Sequence, residues 1–241
     1  MTKYFVPNSY FRNIPGQPIA YWISAKMNDS FQGNALSCVA ETKQGFATGD
    51  NNRFLRFWFE VEESKSNYTA TDIDDAKKSK KKWFPCNKGG EYRKWYGNNN
   101  YVVNWENDGK EMKNTKNSVI RNPQFYFREG LTWSSLANKL SVRYSREGFL
   151  FESKGSMCFM AKSNDSQIYE LLGLLNCKVV TEIMKVLSPT LDFHEGPMSK
   201  VPVKSIDIAE IETLVKENIK MSKDEWDSYE TSWEFKGHPL I

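Results

Sequence analysis

The chain has few of the residues that metal and redox chemistry need. Its 241 residues include two histidines, His194 and His238, and four cysteines, Cys38, Cys86, Cys158 and Cys177. The cysteines lie far apart with no Cys-x-x-Cys spacing, and neither histidine has a ligand-like neighbour, which argues against a zinc site. Four scattered cysteines in a chain this long read as reduced thiols. No N-terminal apolar run resembles a signal peptide, and no stretch approaches the about 18 apolar residues of a membrane helix. The expected setting is cytoplasmic, with no membrane partner. The phosphate-loop, Gly-x-Gly-x-x-Gly, His-Glu-x-x-His and Gly-x-Ser-x-Gly signatures are all missing. The formal net charge of +3 is too small to point to a partner.

What is present is aromatic. Hydrophobic residues make up 39% of the chain and aromatics 14%, enough for one large domain or two small ones with ring-rich cores. Charge is unevenly spread. Between Lys77 and Lys94 stand eight basic residues and one acidic; between Asp207 and Glu234 stand nine acidic and three basic. This predicts a basic face near the middle of the chain and an acidic C-terminal piece. The run Lys77–Lys82 reads as a solvated loop of a kind that also grips phosphates.

Pattern and punctuation give a coarse map. Strands are expected over Ala20–Ser24, Arg53–Val61, Gln124–Phe127, Leu140–Tyr144, Phe149–Phe151 and Met157–Ala161, and as one or two strands with tight turns over Trp83–Trp105. Ala25–Phe31 suits a short helix, Glu62–Lys82 a surface loop or weak helix, and Glu106–Asn117 a polar helix. Apolar residues from Ile168 to Leu187 recur at three and four residues, predicting one helix over Ser166–Leu187, capped at Asp165-Ser166 and stopped by Pro189. A second amphipathic helix is expected over Ile206–Lys220, capped by Ser205 or Asp207. The fold class expected is α+β: a strand-rich mixed sheet with bracing helices toward the C-terminus.

The block from Trp83 to Trp105, WFPCNKGGEYRKWYGNNNYVVNW, carries the most specific chemistry. Lys88, Arg93 and Lys94 alternate with rings, Gly89-Gly90 permits close backbone approach, and Asn98, Asn99 and Asn100 offer amides that donate and accept. Cations and amides on a bendable loop suit phosphates and base edges; an aromatic hairpin with charged outer positions is the plainer account. Arg53, Lys88, Arg93 and Lys94 are candidates for phosphate contact or guanine reading. Gly89 and Gly90 could donate backbone amides to phosphate, and Asn98, Asn99 and Asn100 could pair with adenine. Thr48, Asp50 and Asn51 sit in a turn that either reaches bases or caps a hairpin. Thr132, Ser134 and Ser135 are candidate phosphate donors. Trp83, Trp95 and Trp133 fit a core better than a stacking platform. Asn122-Pro123-Gln124-Phe125 is similar to the target-base loop of amino-methyltransferases, but lacks its second proline and a preceding cofactor turn.

Several blocks resemble one family in order: Tyr10–Ser24, YFRNIPGQPIAYWIS; Gln44–Val61, QGFATGDNNRFLRFWFEV; Lys82–Trp105, KWFPCNKGGEYRKWYGNNNYVVNW; Glu129–Ser134, EGLTWS; Phe149–Phe159, FLFESKGSMCF; Leu171–Thr190, LLGLLNCKVVTEIMKVLSPT; and Glu225–Leu240, EWDSYETSWEFKGHPL. Together they resemble the PglX proteins, adenine-specific DNA methyltransferases of BREX phage-defence systems. The resemblance implies the C-terminal TaqI-like target-recognition region without the catalytic domain. It implies residues 1–35 as a lead-in from that missing methyltransferase domain, 36–204 as the DNA target-recognition domain and 205–241 as a C-terminal helical segment. It further implies double-stranded DNA as partner, with S-adenosylmethionine serving the full-length protein and no cofactor in this chain, which is expected to be inactive alone. The acidic stretch Asp224–Glu234 is expected to face the missing domain or another BREX subunit. The alternative is a protein-interaction module docking that domain or another defence-system subunit. An autonomous nucleic-acid enzyme is disfavoured by the lack of a clustered acid, base or metal signature. DNA binding predicts that Lys88, Arg93 and Lys94 converge on one concave face; docking predicts a flat apolar patch.

Overall fold

Met157, Cys158 and Phe159 are successive buried residues of one strand, and strand geometry sends their side chains to alternate faces. Cys158 enters one apolar core, while Met157 and Phe159 enter another. The fold is built around this two-faced strand. The structure, a computed structural model, describes residues 5–161, 165–204, 209–238 and 240.

The strand is β8 (Met157–Met160), in an antiparallel sheet with β1 (Ala40–Lys43), β5 (Gly130–Trp133) and β6 (Val142–Ser145), in the order β1-β8-β5-β6. Thr42 lies opposite Cys158, Leu131 opposite both Cys158 and Tyr144. One face packs against α5 (Asp165–Leu175) and α6 (Lys178–Leu187), through Leu131, Trp133, Val142, Leu172, Leu175, Val180 and Met184. α7 (Glu195–Ser199) and α8 (Ala209–Asp227) add Met198 and Val215 to that core. A second sheet has the order β2-β4-β3-β7, from β2 (Leu55–Phe57), β3 (Trp83–Asn87), β4 (Tyr101–Asn104) and β7 (Leu150–Phe151). Its β3–β7 pair is parallel and the others antiparallel. This is the α+β, strand-rich architecture, with helices gathered toward the C-terminus.

Aromatic rings make up more than half of the buried residues of the second core. Trp105 and Tyr126 meet edge to face at 5.2 Å, Phe151 joins Tyr126 at 5.4 Å, and Phe125 and Phe159 sit 4.8 Å apart. Such contacts add specificity to the area they bury. The N-terminal Phe11, Ile14, Ala20, Ile23 and Phe31 form a third cluster against Ile183 and Val186 of α6.

Some local expectations hold, and others shift where tertiary partners intervene. α1 (Ala25–Ser30) forms as expected, with Ser24 accepting from the Met27 amide. Ala20–Ser24 is a turn, not a strand, because Ala20 and Ile23 are both drawn into the third cluster. Arg53–Val61 holds a strand only at β2: Asp50 caps a helical turn α2 (Asn51–Phe54), and Trp58–Glu60 closes as a 3-10 turn. Within Glu62–Lys82, α3 (Ile73–Ser79) forms under the Asp72 cap and ends at left-handed Lys80. Gln124–Phe127 is not a strand; Pro123–Phe125 is a 3-10 turn. The helix expected over Ser166–Leu187 is two. Cys177 adopts an extended conformation and caps α6. The buried Asn176 amide accepts from the Val142 N–H at 3.0 Å and donates to its C=O at 2.9 Å, closing the β6 edge. Helix geometry there yields to an edge strand that needs partners. Asp165 and Ser166 are already the first two residues of α5, and the caps proposed at Ser205 or Asp207 lie outside the described residues. No described helix is long and apolar enough to cross a membrane.

Between the sheets the chain crosses at Phe151–Ser156. Glu152 N–H donates to Asn87 C=O at 2.9 Å, and Ser135 N–H to Lys154 C=O at 2.9 Å. At Gly155 a β-carbon would stand 2.3 Å from the Asn87 carbonyl oxygen. Gly155→Ala should therefore cost about 3 kcal/mol as an overpacking change between two backbones, read as a lowered urea midpoint. The thiols give a second check. Burial pushes the Cys86 thiol well up and Cys158 up to about 12, so both hold little reactive thiolate. Native iodoacetamide labelling should mark exposed Cys38 and leave Cys86 and Cys158 unmodified.

Candidate nucleic-acid interface

The loop between β3 and β4 spans both sheets, and that duty engages most of its polar groups. Trp95 donates its backbone N–H to Val142 C=O at 3.0 Å and accepts from the Tyr144 N–H at 2.8 Å, so this stretch lies along the β6 edge. Arg93 pairs with Glu225 and stacks at 5.0 Å on the Trp226 ring, both of α8. Lys94 donates from Nζ to Asn176 C=O at 2.5 Å. Lys88 lies 4.5 Å over the Tyr101 ring. The three cations thus turn to three different partners and do not converge on one concave face. Asn98 and Asn99 are buried, and Asn98 donates to Glu91 C=O at 2.9 Å. Gly89 is buried with φ +87°, where a side chain would meet the Lys154 carbonyl; Gly90 is exposed. Asn100, half-buried, accepts from the Trp58 N–H at 3.0 Å. Trp83 and Trp133 are core residues, and Trp95 packs half-buried against the helix-side core.

Thr132, Ser134 and Ser135 are buried as well. Their hydroxyls donate inward: Thr132 to Ser156 C=O at 3.2 Å, Ser134 to Gly90 C=O at 2.9 Å, and Ser135 to Lys154 C=O at 3.4 Å. Behind them lies Arg143, opposite Thr132 and 2% exposed. It has no carboxylate partner among the described residues; its guanidinium reaches only the Arg93 carbonyl, at 3.4 Å. Burial, together with the nearby Arg93 charge, pulls its pKa down to about 10.

The turn Thr48–Arg53 stands differently. Thr48 is buried and donates to Asn51 Oδ1 at 2.6 Å, and Asp50 accepts from the Arg53 N–H at 3.1 Å. These bonds hold Asp50, Asn51, Asn52 and Arg53 exposed. Arg53 bridges to Glu111 at 2.6 Å across a cleft of about 630 Å³, lined also by Glu106, Asn107, Lys110, Asn114 and Lys116. The cleft wall is α4 (Glu106–Lys113), whose Asn107 and Asp108 have φ of 51° and 60°. Two consecutive non-glycine residues in left-handed geometry carry a cost that surrounding structure must offset.

A second basic surface went unread in the sequence. Lys178, Thr181, Glu182 and Lys185 project from one side of α6, at the helical spacing of three and four, while Val180, Ile183, Met184 and Val186 are buried. With Lys94 and Lys139 they line a cleft of about 730 Å³. The signal was present as the polar half of the same periodicity that located the helix.

Two further stretches are engaged within this chain. Asn122, half-buried, donates to Gln44 C=O at 2.9 Å and Phe125 is buried, while Pro123 and Gln124 between them are exposed. The acidic stretch folds back on this chain's own cations: Glu225 on Arg93, Glu234 on Arg146 at 3.3 Å, and both Asp227 and Glu234 on Lys223. Among the described residues no group of three or more His, Cys, Asp or Glu side chains could hold a metal ion.

No family model matches the chain. Among curated proteins it is 38% identical over 96% of its length to an adenine-specific methyltransferase, BrxX, of Escherichia coli O9:H4 (strain HS). It is 36% identical over 99% of its length to an adenine-specific methyltransferase, PglX, of Lacticaseibacillus casei (strain Zhang). Nearly the whole of this chain is thus similar to one part of these two adenine-specific methyltransferases. It spans 18% and 20% of the length of these two relatives.

The buried hydroxyls separate bracing from contact. Thr132→Val and Ser134→Ala should each lower stability by about 1 kcal/mol, the net worth of a typical hydrogen bond. Neither should change the salt dependence of any DNA binding, measured by urea titration and fluorescence anisotropy.

Proposed function

We propose that this chain is a DNA target-recognition region of an adenine-N6 methyltransferase of a phage-defence system. It binds duplex DNA, while S-adenosylmethionine and methyl transfer belong to a separate catalytic domain. The match to two adenine-specific methyltransferases over nearly all of this chain and about a fifth of theirs carries the reading. The surface at Thr48–Arg53 supports it. Arg53 supplies a guanidinium able to grip phosphate or guanine, and Asn51 supplies an amide beside it. Lys110 and Lys116 supply charge from the facing wall. In this reading Asp50 and Thr48 hold the turn, Lys88, Gly90 and Asn100 flank the contact, and Gly89, Arg93, Lys94, Asn98, Asn99, Thr132, Ser134 and Ser135 brace the frame. Residues 36–204 form the recognition unit, with 1–35 leading in and 205–241 as a helical buttress.

A second reading has its own observation. Phe59, 64% exposed, stacks on Phe57 at 5.3 Å, and Phe57 stacks on Tyr101 at 4.8 Å. Phe59 also borders a pocket with Tyr229, Phe235 and His238. This apolar surface suits docking of a methyltransferase domain or another defence-system subunit.

Fluorescence anisotropy with a pool of duplex DNAs across a salt series tests the first reading. Binding should weaken linearly with log salt, and Arg53→Ala should make the slope shallower by about 1, one phosphate contact. Absence of salt-dependent binding at low ionic strength would transfer the role to docking.

A further inference from the structure

We infer that the lysine-lined cleft along α6 is a track for the phosphate backbone of duplex DNA, separate from the Arg53 surface. The inference rests on the DNA-recognition reading and adds a second contact to it. Three separate segments bring ammonium groups to this cleft: Lys94 from the β3–β4 loop, Lys139 from the β5–β6 connection, and Lys178 and Lys185 from α6. One carboxylate lines it, Glu182, which pairs with Lys185 at 2.7 Å. Lys94 is turned to Asn176, and Lys139 lies 5.2 Å over the half-exposed Tyr92 ring. Lys139 and Lys178 have no ion pair among the described residues.

Four lysines against one carboxylate leave a net positive charge around the concavity, and a concave wall concentrates its field. A polyanion neutralises that charge where isolated counterions do so weakly. Asn138, Thr181 and Thr190 line the same cleft and add neutral hydrogen-bonding groups between the lysines. Lysine reads no sequence in this arrangement; it acts as a point charge on phosphate. The α6 track therefore supplies register and affinity, and leaves base reading to other surfaces. An acidic protein segment is the competing occupant, since Pro189, Leu191 and Phe193 also line the cleft.

The test compares the whole chain with Lys139→Ala/Lys178→Ala, Lys139→Arg/Lys178→Arg and a charge-matched control, Lys26→Ala/Lys220→Ala, whose lysines line neither cleft. Each is first checked for an unchanged thermal melt. In anisotropy with duplex DNA, the alanine pair should flatten the log–log salt slope by about 2 and weaken binding roughly tenfold or more at about 0.15 M salt. The arginine pair and the control should keep the parent slope. If DNA binds and Arg53→Ala flattens the slope while the alanine pair does not, the track is wrong and the recognition reading stands. If the parent chain binds no duplex at about 50 mM salt, both fall. If a poly-glutamate peptide binds, is lost in the alanine pair, and DNA binding is indifferent to it, the cleft belongs to an acidic protein partner.

Discussion

The two sheets approach most closely where the backbone of Phe151–Ser156 lies against that of Asn87–Gly89. Gly155 and Gly89 make the approach possible, because a β-carbon at either would stand 2.3 or 2.8 Å from a carbonyl oxygen of the other segment. Much else follows from this contact. It fixes β7 beside β3 and β8 beside β5, and places the β3–β4 loop against the β6 edge. It also leaves peptide carbonyls in the interior that need donors. Thr132, Ser134 and Ser135 supply them.

That requirement explains why the block richest in apparent recognition chemistry is mostly internal. A loop that spans two sheets must satisfy its own backbone, and asparagine amides and serine hydroxyls serve peptide groups as well as they serve bases. Arg93 and Lys94 are recruited in the same way, one to α8 and the other to the carbonyl of Asn176. Exposure passes instead to short elements with few long-range duties: the turn capped by Asp50 and the outer side of α6. Arg143 marks the limit of the arrangement, a buried guanidinium with no carboxylate partner among the described residues.

Much of the fold was legible. The period of Ile168, Leu171, Leu172 and Leu175 located a helix face, and β8 and α1 form where a short strand and a short helix were expected. The single long helix was misread because Asn176 and Cys177 fit the helical period as neutral interruptions. Only the position of Val142 shows that Asn176 serves another strand. The site was less legible. Hydroxyl, amide and guanidinium groups are chosen alike for phosphate, base and peptide, and nothing local says which they meet.

By itself the sequence determined the class of architecture, the aromatic core and, through its ordered blocks, the similarity to part of the BrxX and PglX methyltransferases, because periodicity and long motifs are local properties of the chain. Tertiary structure alone decided which polar residues are free. Whether Arg53 or Arg93 faces solvent depends on what packs across from it: Glu111 at an open cleft in one case, and Glu225 with Trp226 of α8 in the other. The gathering of Lys94, Lys139, Lys178 and Lys185 into one cleft likewise depends on the crossing that sets the loop beside α6. Burial and convergence are pairwise facts between distant segments, and the linear order of residues holds them only implicitly.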